Sequence, residues 1–267
     1  MESSISEAAA VLAQCQHVIA FTGAGISVES GIPDFRSPGG LWDRFDPVEY
    51  AHISTFLRDP GRSWEMFLAV EQILEEAEPN AAHRALAELE REGVLRAVVT
   101  QNIDGLHQAA GSTVVHEFHG THADLHCVDC GRRYGRERAL ETIPPHCSCG
   151  QALKPAVVLF GEAIPSAVSE AAFSDADACD GLVVVGTSAL VFPAAQIPYQ
   201  VAGREKPVIV IDREPTPLTR EVSCLYLRGT AGEILPRLVA EIMATRAGGE
   251  TPSLASGGFG GQEQVPG

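Results

Sequence analysis

Short apolar runs alternate with helical patterns along most of the chain. The runs have the continuous hydrophobic character of parallel strands buried on both faces, and polar or glycine-rich residues follow each one. They lie at 17–21, 95–99, 181–185 and 207–211. Apolar residues at helical spacing occur at 5–15, 61–77, 80–92, 165–173 and 231–245. Strands that alternate with helices predict an α/β fold, in which helices cover both faces of an open parallel sheet.

Two stretches interrupt this alternation and are predicted to be inserts. One holds four cysteines with little periodicity, and the other is helical and rich in aromatic residues. The tail consists of glycine, serine, proline and polar residues without a core-forming pattern, so we expect it to be disordered. The predicted organisation is a large domain at 1–33, 79–120 and 158–246, a helical insert with a cofactor-binding loop at 34–78, a zinc-ribbon insert at 121–157 and a tail at 247–267.

Composition and charge narrow the range of partners. The formal net charge of −16 makes the chain a poor non-specific binder of nucleic acid, since phosphate contacts need clustered lysine and arginine. An acidic surface suits a lysine-rich protein segment, although solubility alone also accounts for it. No apolar run approaches the roughly 20 residues that span a bilayer, and the acidic N-terminus lacks the pattern of a secretory signal. We therefore expect a cytoplasmic protein without a membrane partner.

The loop after the first predicted strand has features of a dinucleotide site. Gly23 and Gly25 allow backbone N–H groups to approach a pyrophosphate, but Val28 replaces the usual third glycine, so a tight structural turn is the alternative. Farther along the chain, the Arg36 side chain is suited to binding phosphates, and the Phe35 ring is suited to covering a reactive ring of the ligand. Residues 37–40 then read as a mobile loop, and closure of such a loop over a ligand would exclude water. The alternative is that this segment is only a structural turn.

Two further loops also follow predicted strands, where ligands of open parallel sheets bind. Amide and carboxylate groups at Gln101, Asn102 and Asp104 are placed to orient a ribose and a carboxamide, with helix capping as the alternative. Residues 186–188 offer N–H and hydroxyl donors to a nucleotide. Asp212 ends the next strand, where an acid commonly accepts hydrogen bonds from ribose hydroxyls.

One histidine is a candidate general base. His119 stands between Phe118 and Gly120, and the small glycine leaves room for a ligand. Imidazole titrates nearest to neutral pH, which suits it to proton transfer. Three other histidines lie close in sequence, so a structural role is the alternative.

Four cysteines give the strongest local signal. Cys127 and Cys130 are separated by 16 residues from the second pair, Cys147 and Cys149, which is close to the spacing of a zinc ribbon. Four thiolates leave no open coordination position, so the predicted zinc is structural. Because the second pair is one residue tighter than usual, His146 is an alternative ligand.

The chain leaves this insert through an extended apolar segment at 154–162. Free backbone groups there would pair with an incoming peptide as an added strand. An ordinary buried strand is the alternative.

Taken in order, these motifs resemble those of the sirtuins of bacterial or archaeal type, the NAD-dependent protein lysine deacylases. The likeness runs from about residue 8 to residue 238 and is specific, because the motifs surround a four-cysteine insert. It implies a Rossmann-like large domain, a small zinc-binding and helical domain, and a cleft in which NAD meets an acyl-lysine protein or peptide. It also implies NAD as co-substrate, one structural zinc ion, and free lysine, nicotinamide and acyl-ADP-ribose as products.

The resemblance also implies roles for individual residues. His119 would be the base, acting through the ribose hydroxyls, with Asn102 as a second catalytic residue. Val158 and Phe160 would flank the acyl-lysine. The expected zinc ligands are Cys127, Cys130, Cys147 and Cys149, and the expected NAD contacts are Gly23, Ala24, Gly25, Ile26, Ser27, Pro33, Asp34, Phe35, Arg36, Trp42, Gln101, Asn102, Ile103, Asp104, Gly186, Thr187, Ser188, Asp212 and Ala231.

The sequence departs from the family pattern in two ways. Many sirtuins have Asn in place of Asp212, but a carboxylate still accepts ribose hydroxyls, so NAD binding is expected to survive. Members that remove acidic acyl groups have Tyr in place of Phe67 and Arg in place of Val70. Without that hydroxyl and cation, an acyl carboxylate would be buried unpaired. We therefore expect a neutral acyl group, acetyl or a longer aliphatic chain.

Three other functions remain compatible with parts of the pattern. The first is an ADP-ribosyltransferase, although His119 favours acyl transfer. The second is a non-catalytic module that senses NAD or binds acylated proteins. The third is a zinc-containing dehydrogenase, against which the closed metal site and the incomplete glycine fingerprint both argue.

Overall fold

The computed structural model describes residues 2–35, 39–140 and 142–248. The strands are β1 (Val18–Thr22), β2 (Leu95–Thr100), β3 (Val115–Glu117), β4 (Gly120–Cys127), β5 (Arg133–Gly135), β6 (Leu153–Val157), β7 (Gly181–Val185), β8 (Val208–Asp212) and β9 (Leu225–Arg228). The helices are α1 (Glu2–Ala13), α2 (Leu41–Arg44), α3 (Pro47–Tyr50), α4 (Ile53–Arg58), α5 (Pro60–Glu75), α6 (Ala81–Arg91), α7 (Leu106–Ala109), α8 (Ser166–Ala178), α9 (Gln196–Gly203), α10 (Pro217–Glu221) and α11 (Ala231–Gly248). Two 3-10 helices span Ala24–Ser30 and Arg136–Leu140.

The predicted open parallel sheet is confirmed. Six strands pair in parallel in the order β3-β2-β1-β7-β8-β9, and the four apolar runs of the sequence form its centre. Every residue of β1 and β7 is buried, as expected for strands covered on both sides. The edge strands β3 and β9 were not predicted.

Helices cover both faces of this sheet, and the strand side chains alternate between two apolar clusters. Val18 and Ala20 face the cluster that contains residues of α1, α6 and α11. Ile19 and Phe21 face the opposite cluster, which contains residues of α8 and α9. Burial of these two apolar layers is the main stabilising contribution to the large domain.

The two predicted inserts pack together into one small module. Its second sheet has the antiparallel order β5-β4-β6, and α2 to α5 lie beside it. Phe56 and Phe67 from the helical insert share a cluster with Leu125 and Leu153 from the cysteine insert. Trp64 is fully buried and donates from Nε1 to the Leu153 carbonyl at 2.8 Å, which fixes α5 against β6.

The last helix continues to Gly248 and so includes the first two residues of the predicted tail. The rest of the predicted disordered tail, 249–267, lies outside the described residues. A bilayer-crossing helix is absent from the part of the chain that the structure describes.

Candidate active site

A cavity of about 640 Å³ lies at the carboxyl ends of the parallel strands, where residues of the small module also line it. Glycines of the first loop lie at its base. Gly25 N–H donates to the Gly186 carbonyl at 2.8 Å. A Cβ on Gly25 would lie 2.6 Å from Gly186 Cα, and one on Gly23 would lie 2.7 Å from Thr187 Cβ. The glycines therefore permit close packing of two loops, and both glycines also line the cavity.

Short polar side chains form a connected floor beneath this loop. Asn102 is buried and donates from Nδ2 to Ser27 Oγ at 3.0 Å and to the Gly23 carbonyl at 3.3 Å. The Ser27 hydroxyl donates to Asp104 Oδ2 at 2.7 Å. The other carboxylate oxygen of Asp104 accepts from Leu106 N–H, at the first residue of α7, at 3.0 Å, while the N-cap residue of that helix is Gly105. The bonds fix the orientation of both side chains before any ligand arrives.

Two buried histidines contact hydroxyl groups of Thr22 and Ser27 in and beside this polar floor. His107 Nε2 lies 2.9 Å from Thr22 Oγ1, and His83 Nε2 lies 3.4 Å from Ser27 Oγ. Their ring centroids are 4.9 Å apart. Burial lowers the pKa of His107 to about 3 and that of His83 to about 4. Both imidazoles are therefore neutral at physiological pH.

His119 lines the same cavity as the glycine loop and Asn102. Its Nδ1 lies 3.1 Å from the Gln101 carbonyl. Burial lowers the pKa of His119, and the bond to Gln101 opposes this only in part. Because a carbonyl only accepts hydrogen bonds, the bond requires Nδ1 to carry the proton of a neutral ring. Nε2 then keeps its lone pair, which is the form that a general base needs.

Gly120 has a structural role that the sequence did not indicate. Its φ is 77°, and a Cβ there would lie 2.1 Å from the Ala156 carbonyl oxygen. The glycine therefore allows β4 to approach β6. The expectation that it makes room for a ligand was wrong.

Three aromatic rings follow one another along the cavity wall. The ring centroids of Phe35 and Trp42 are 5.2 Å apart, and those of Trp42 and Phe160 are 6.1 Å apart. Phe160 is 43% exposed, so an apolar face is open to a ligand. Arg36, the predicted phosphate contact, lies outside the described residues.

Nearly all the other predicted contact residues also line the cavity. Gln101 Nε2 donates to Thr187 Oγ1 at 2.9 Å, and burial raises the pKa of Asp212. Ile26 is the exception among the described residues, because its side chain is fully buried in the core. The other predicted residues found on the wall are Ala24, Pro33, Asp34, Ile103, Gly186, Ser188, Ala231 and Val158.

Sequence reasoning missed several parts of the wall, of which two are a run of apolar residues after β7 and a histidine of β4. Leu190, Val191 and Phe192 follow Ser188 and line the cavity, and Phe192 is 68% exposed. A run of apolar residues directly after the strand-end loop at 186–188 is the sequence signal that could have revealed them. His122 also lines the cavity, but nothing in the sequence distinguishes it from the other histidines nearby.

The four cysteines come together away from this cavity. Their sulfur atoms all lie within 4.8 Å of one another. Cys127 Sγ is 3.6 Å from Cys149 Sγ, and Cys130 Sγ is 3.5 Å from Cys147 Sγ. Tetrahedral zinc with bonds of about 2.3 Å sets sulfur atoms about 3.8 Å apart, so the cluster fits a structural zinc site. His146 is not part of it, and the alternative ligand is thereby excluded.

Comparison with known proteins identifies the class. The profile of the Sir2 family matches residues 23–193. An NAD-dependent protein deacylase 2 of Pyrobaculum aerophilum is 46% identical over 87% of this chain and 93% of its own length. A protein of the same description from Archaeoglobus fulgidus is 45% identical over 92% of this chain and 99% of its own. The chain belongs to the Sir2 family.

Solved structures agree with this assignment. A Sir2 homologue in complex with NAD superposes with a TM-score of 0.83, is 40% identical, and matches 90% of this chain and 94% of its own. A Sir2 protein bound to a myristoylated histone peptide has a TM-score of 0.78 and 39% identity, and it matches 93% of this chain and 100% of its own.

Proposed function

We propose that this protein is an NAD-dependent protein-lysine deacylase. It removes acetyl or other neutral acyl groups from lysine side chains and gives free lysine, nicotinamide and acyl-ADP-ribose. The observation that carries the proposal is the placement of His119, a neutral imidazole on the wall of the cavity that the glycine loop and Asn102 also line. The deacylase descriptions of the relatives support the same reaction.

The cavity contains groups that suit each part of NAD. The loops around Gly23 and Gly186 present backbone groups to phosphates, and Asp212 accepts hydrogen bonds from ribose hydroxyls. Asn102 and Asp104 would hold the nicotinamide end of NAD. Hydrogen bonds to Ser27 keep both side chains in one orientation before NAD binds. When bound, NAD supplies a ribose carbon to which the acyl oxygen bonds as nicotinamide departs.

His119 performs the proton transfer in this scheme. Nε2 takes a proton from a ribose hydroxyl while the Gln101 carbonyl holds Nδ1–H. Burial keeps the ring in its base form to lower pH than an exposed histidine. Phe35 and Trp42 contact each other on the cavity wall, where they would cover the reacting face and exclude water.

The acyl-lysine segment of a protein substrate would lie along residues 158–161. Val158 C=O and Gly161 N–H have no hydrogen-bond partner among residues 2–35, 39–140 and 142–248, so both are available to an extended peptide. Leu190 and Phe192 add exposed apolar surface to the same cavity. The net charge of −16 favours lysine-rich segments over nucleic acid.

The wall around the acyl group is apolar, which selects a neutral acyl chain. Phe67 and Val70 both line the cavity. Arg136 contacts His122 there, but its charge is balanced by an ion pair with Glu71. A succinyl carboxylate would therefore be buried without a partner. We expect kcat/KM for a succinyl-lysine peptide to be at least about 100-fold below that for the matched acetyl-lysine peptide. Comparable values would contradict the neutral-acyl assignment.

The proposed reaction is tested by mixing the protein with NAD and an acetyl-lysine peptide and measuring nicotinamide. Release that needs both substrates, together with deacetylated peptide, supports the proposal. Release in water alone would indicate a glycohydrolase, and a peptide carrying ADP-ribose would indicate a transferase. Absorbance in the NADH band would indicate a dehydrogenase.

A further inference from the structure

The predicted substrate segment begins with a buried lysine that the proposed reaction does not use. Lys154 is 0% exposed, although it lies in an otherwise apolar stretch of β6. Its Nζ is 3.1 Å from Glu162 Oε2 and donates to the carbonyls of Val157 and Pro155. Burying an ammonium group is costly unless it is paired and hydrogen-bonded, so these contacts are what permit its position.

Glu162, at the other end of residues 154–162, bonds both to Lys154 and to the backbone between them. The carboxylate oxygen that pairs with Lys154 also accepts from Leu159 N–H at 2.9 Å. Glu162 N–H in turn donates to the Leu159 carbonyl at 3.0 Å. β6 ends at Val157, and the residues beyond it are held by single backbone contacts, including an isolated parallel bridge between Phe160 and His52, rather than by a continuous ladder. The ion pair therefore closes residues 154–162 into a loop, which we name the substrate loop.

The substrate loop contacts both sides of the cleft. Val158 N–H donates to the His119 carbonyl at 2.8 Å, on the side of the candidate base. Phe160 N–H donates to the Ala51 carbonyl at 2.9 Å, and the Phe160 carbonyl accepts from Ile53 N–H at 2.9 Å. Both residues expected to flank the acyl-lysine thus lie between the two charged ends of the loop. A shift of the ion pair would move them relative to His119.

We propose that Lys154 and Glu162 form a positioning pair, which holds the substrate loop in the extended shape that an acyl-lysine peptide pairs with. This inference rests on the proposed deacylase function. The alternative is that the pair only stabilises the fold. The two are separable, because a buried ion pair can often be replaced as a whole by uncharged residues with little loss of stability, whereas removal of one partner leaves an unpaired charge.

The test is the double variant Lys154→Met/Glu162→Gln in the full chain, assayed with NAD and an acetyl-lysine peptide. Gln keeps an oxygen for Leu159 N–H but removes the charge. We expect the KM for the peptide to rise about ten-fold, since small displacements of positioning groups have effects of this size or larger. The KM for NAD, the zinc content and the Tm should remain at wild-type values, which a general loss of structure would not allow.

Asp177→Asn provides a matched control, because it removes the surface ion pair between Asp177 and Arg204 and should leave both KM values unchanged. An unchanged peptide KM in a folded double variant would overturn the positioning role. If the double variant does not fold, Glu162→Asp, which keeps both charges but shortens the side chain that reaches Lys154, carries the same expectation. A wild-type protein without peptide-dependent turnover would instead overturn the proposed function, and this inference with it.

Discussion

The two sides of the cleft are held in place by different kinds of interaction. On the large domain, short polar side chains beside the ends of buried strands bond to one another: Thr22 donates to Thr100, and Asn102 donates to Ser27, which donates to Asp104. On the small module, the wall contains a buried ion pair and adjoins a core that includes two cysteines of the metal cluster, Cys127 and Cys147. The first side is preorganised by the sheet itself. The second contains an ion pair and a cysteine cluster that fits zinc, so we expect the two sides to respond differently to the same perturbation.

Removal of zinc should produce the largest difference in stability between the two sides of the cleft. Structural zinc contributes on the order of 10–16 kcal/mol in small zinc-binding units, so chelation should unfold the module while the parallel sheet stays folded. We expect deacylase activity to fall to less than about one hundredth, because the substrate loop is lost. Far-ultraviolet circular dichroism and peptide turnover on the metal-free protein measure the two effects.

The control for this experiment is Cys224→Ser, since Cys224 lies outside the cysteine cluster and should leave zinc content and activity unchanged. Full activity in a verified zinc-free protein would contradict the assigned role of the module.

Low pH should reduce the stability of the large domain, because the buried histidines beneath its polar floor are neutral in the folded state. The pKa of His107 in the folded state is lowered to about 3 by burial, so below pH 6.5 the unfolded chain binds more protons than the folded one. Stability is therefore lost as the pH falls from about 6.5 towards the folded pKa. At pH 5 the loss is roughly 2 kcal/mol for this one imidazole, an order-of-magnitude value.

Urea unfolding at pH 7.5 and pH 5 measures that loss, and His107→Gln isolates the contribution of His107 from those of the other buried histidines. The variant should lose less stability between the two pH values than the wild type does. An identical pH dependence in both proteins would mean that His107 is not held neutral in the folded state.

The same contrast explains what the sequence could predict. Continuous apolar runs identified β1, β2, β7 and β8, since strands buried on both faces carry their signal locally. The two cysteine pairs likewise predicted the metal cluster by spacing alone. Most of the residues expected on the cavity wall are there, because parallel strands bring their carboxyl ends to one edge.

What escaped prediction depends on pairing between distant segments. The edge strands β3 and β9 are short and largely half-buried, so neither shows a distinctive run. The role of Gly120 is set by Ala156 on another strand, and the burial of Lys154 is possible only because Glu162 returns to it. Such contacts are fixed by tertiary packing and leave no periodic trace in the sequence.

The central claim, that His119 is the base of a deacylase, is tested most directly by His119→Ala. Its control is His116→Ala, which removes a neighbouring imidazole that pairs with Asp175 and does not line the cavity. With NAD and an acetyl-lysine peptide, kcat should fall about 10²- to 10⁴-fold in His119→Ala and stay near the wild-type value in the control. Deacetylation by His119→Ala at the wild-type rate would contradict the account.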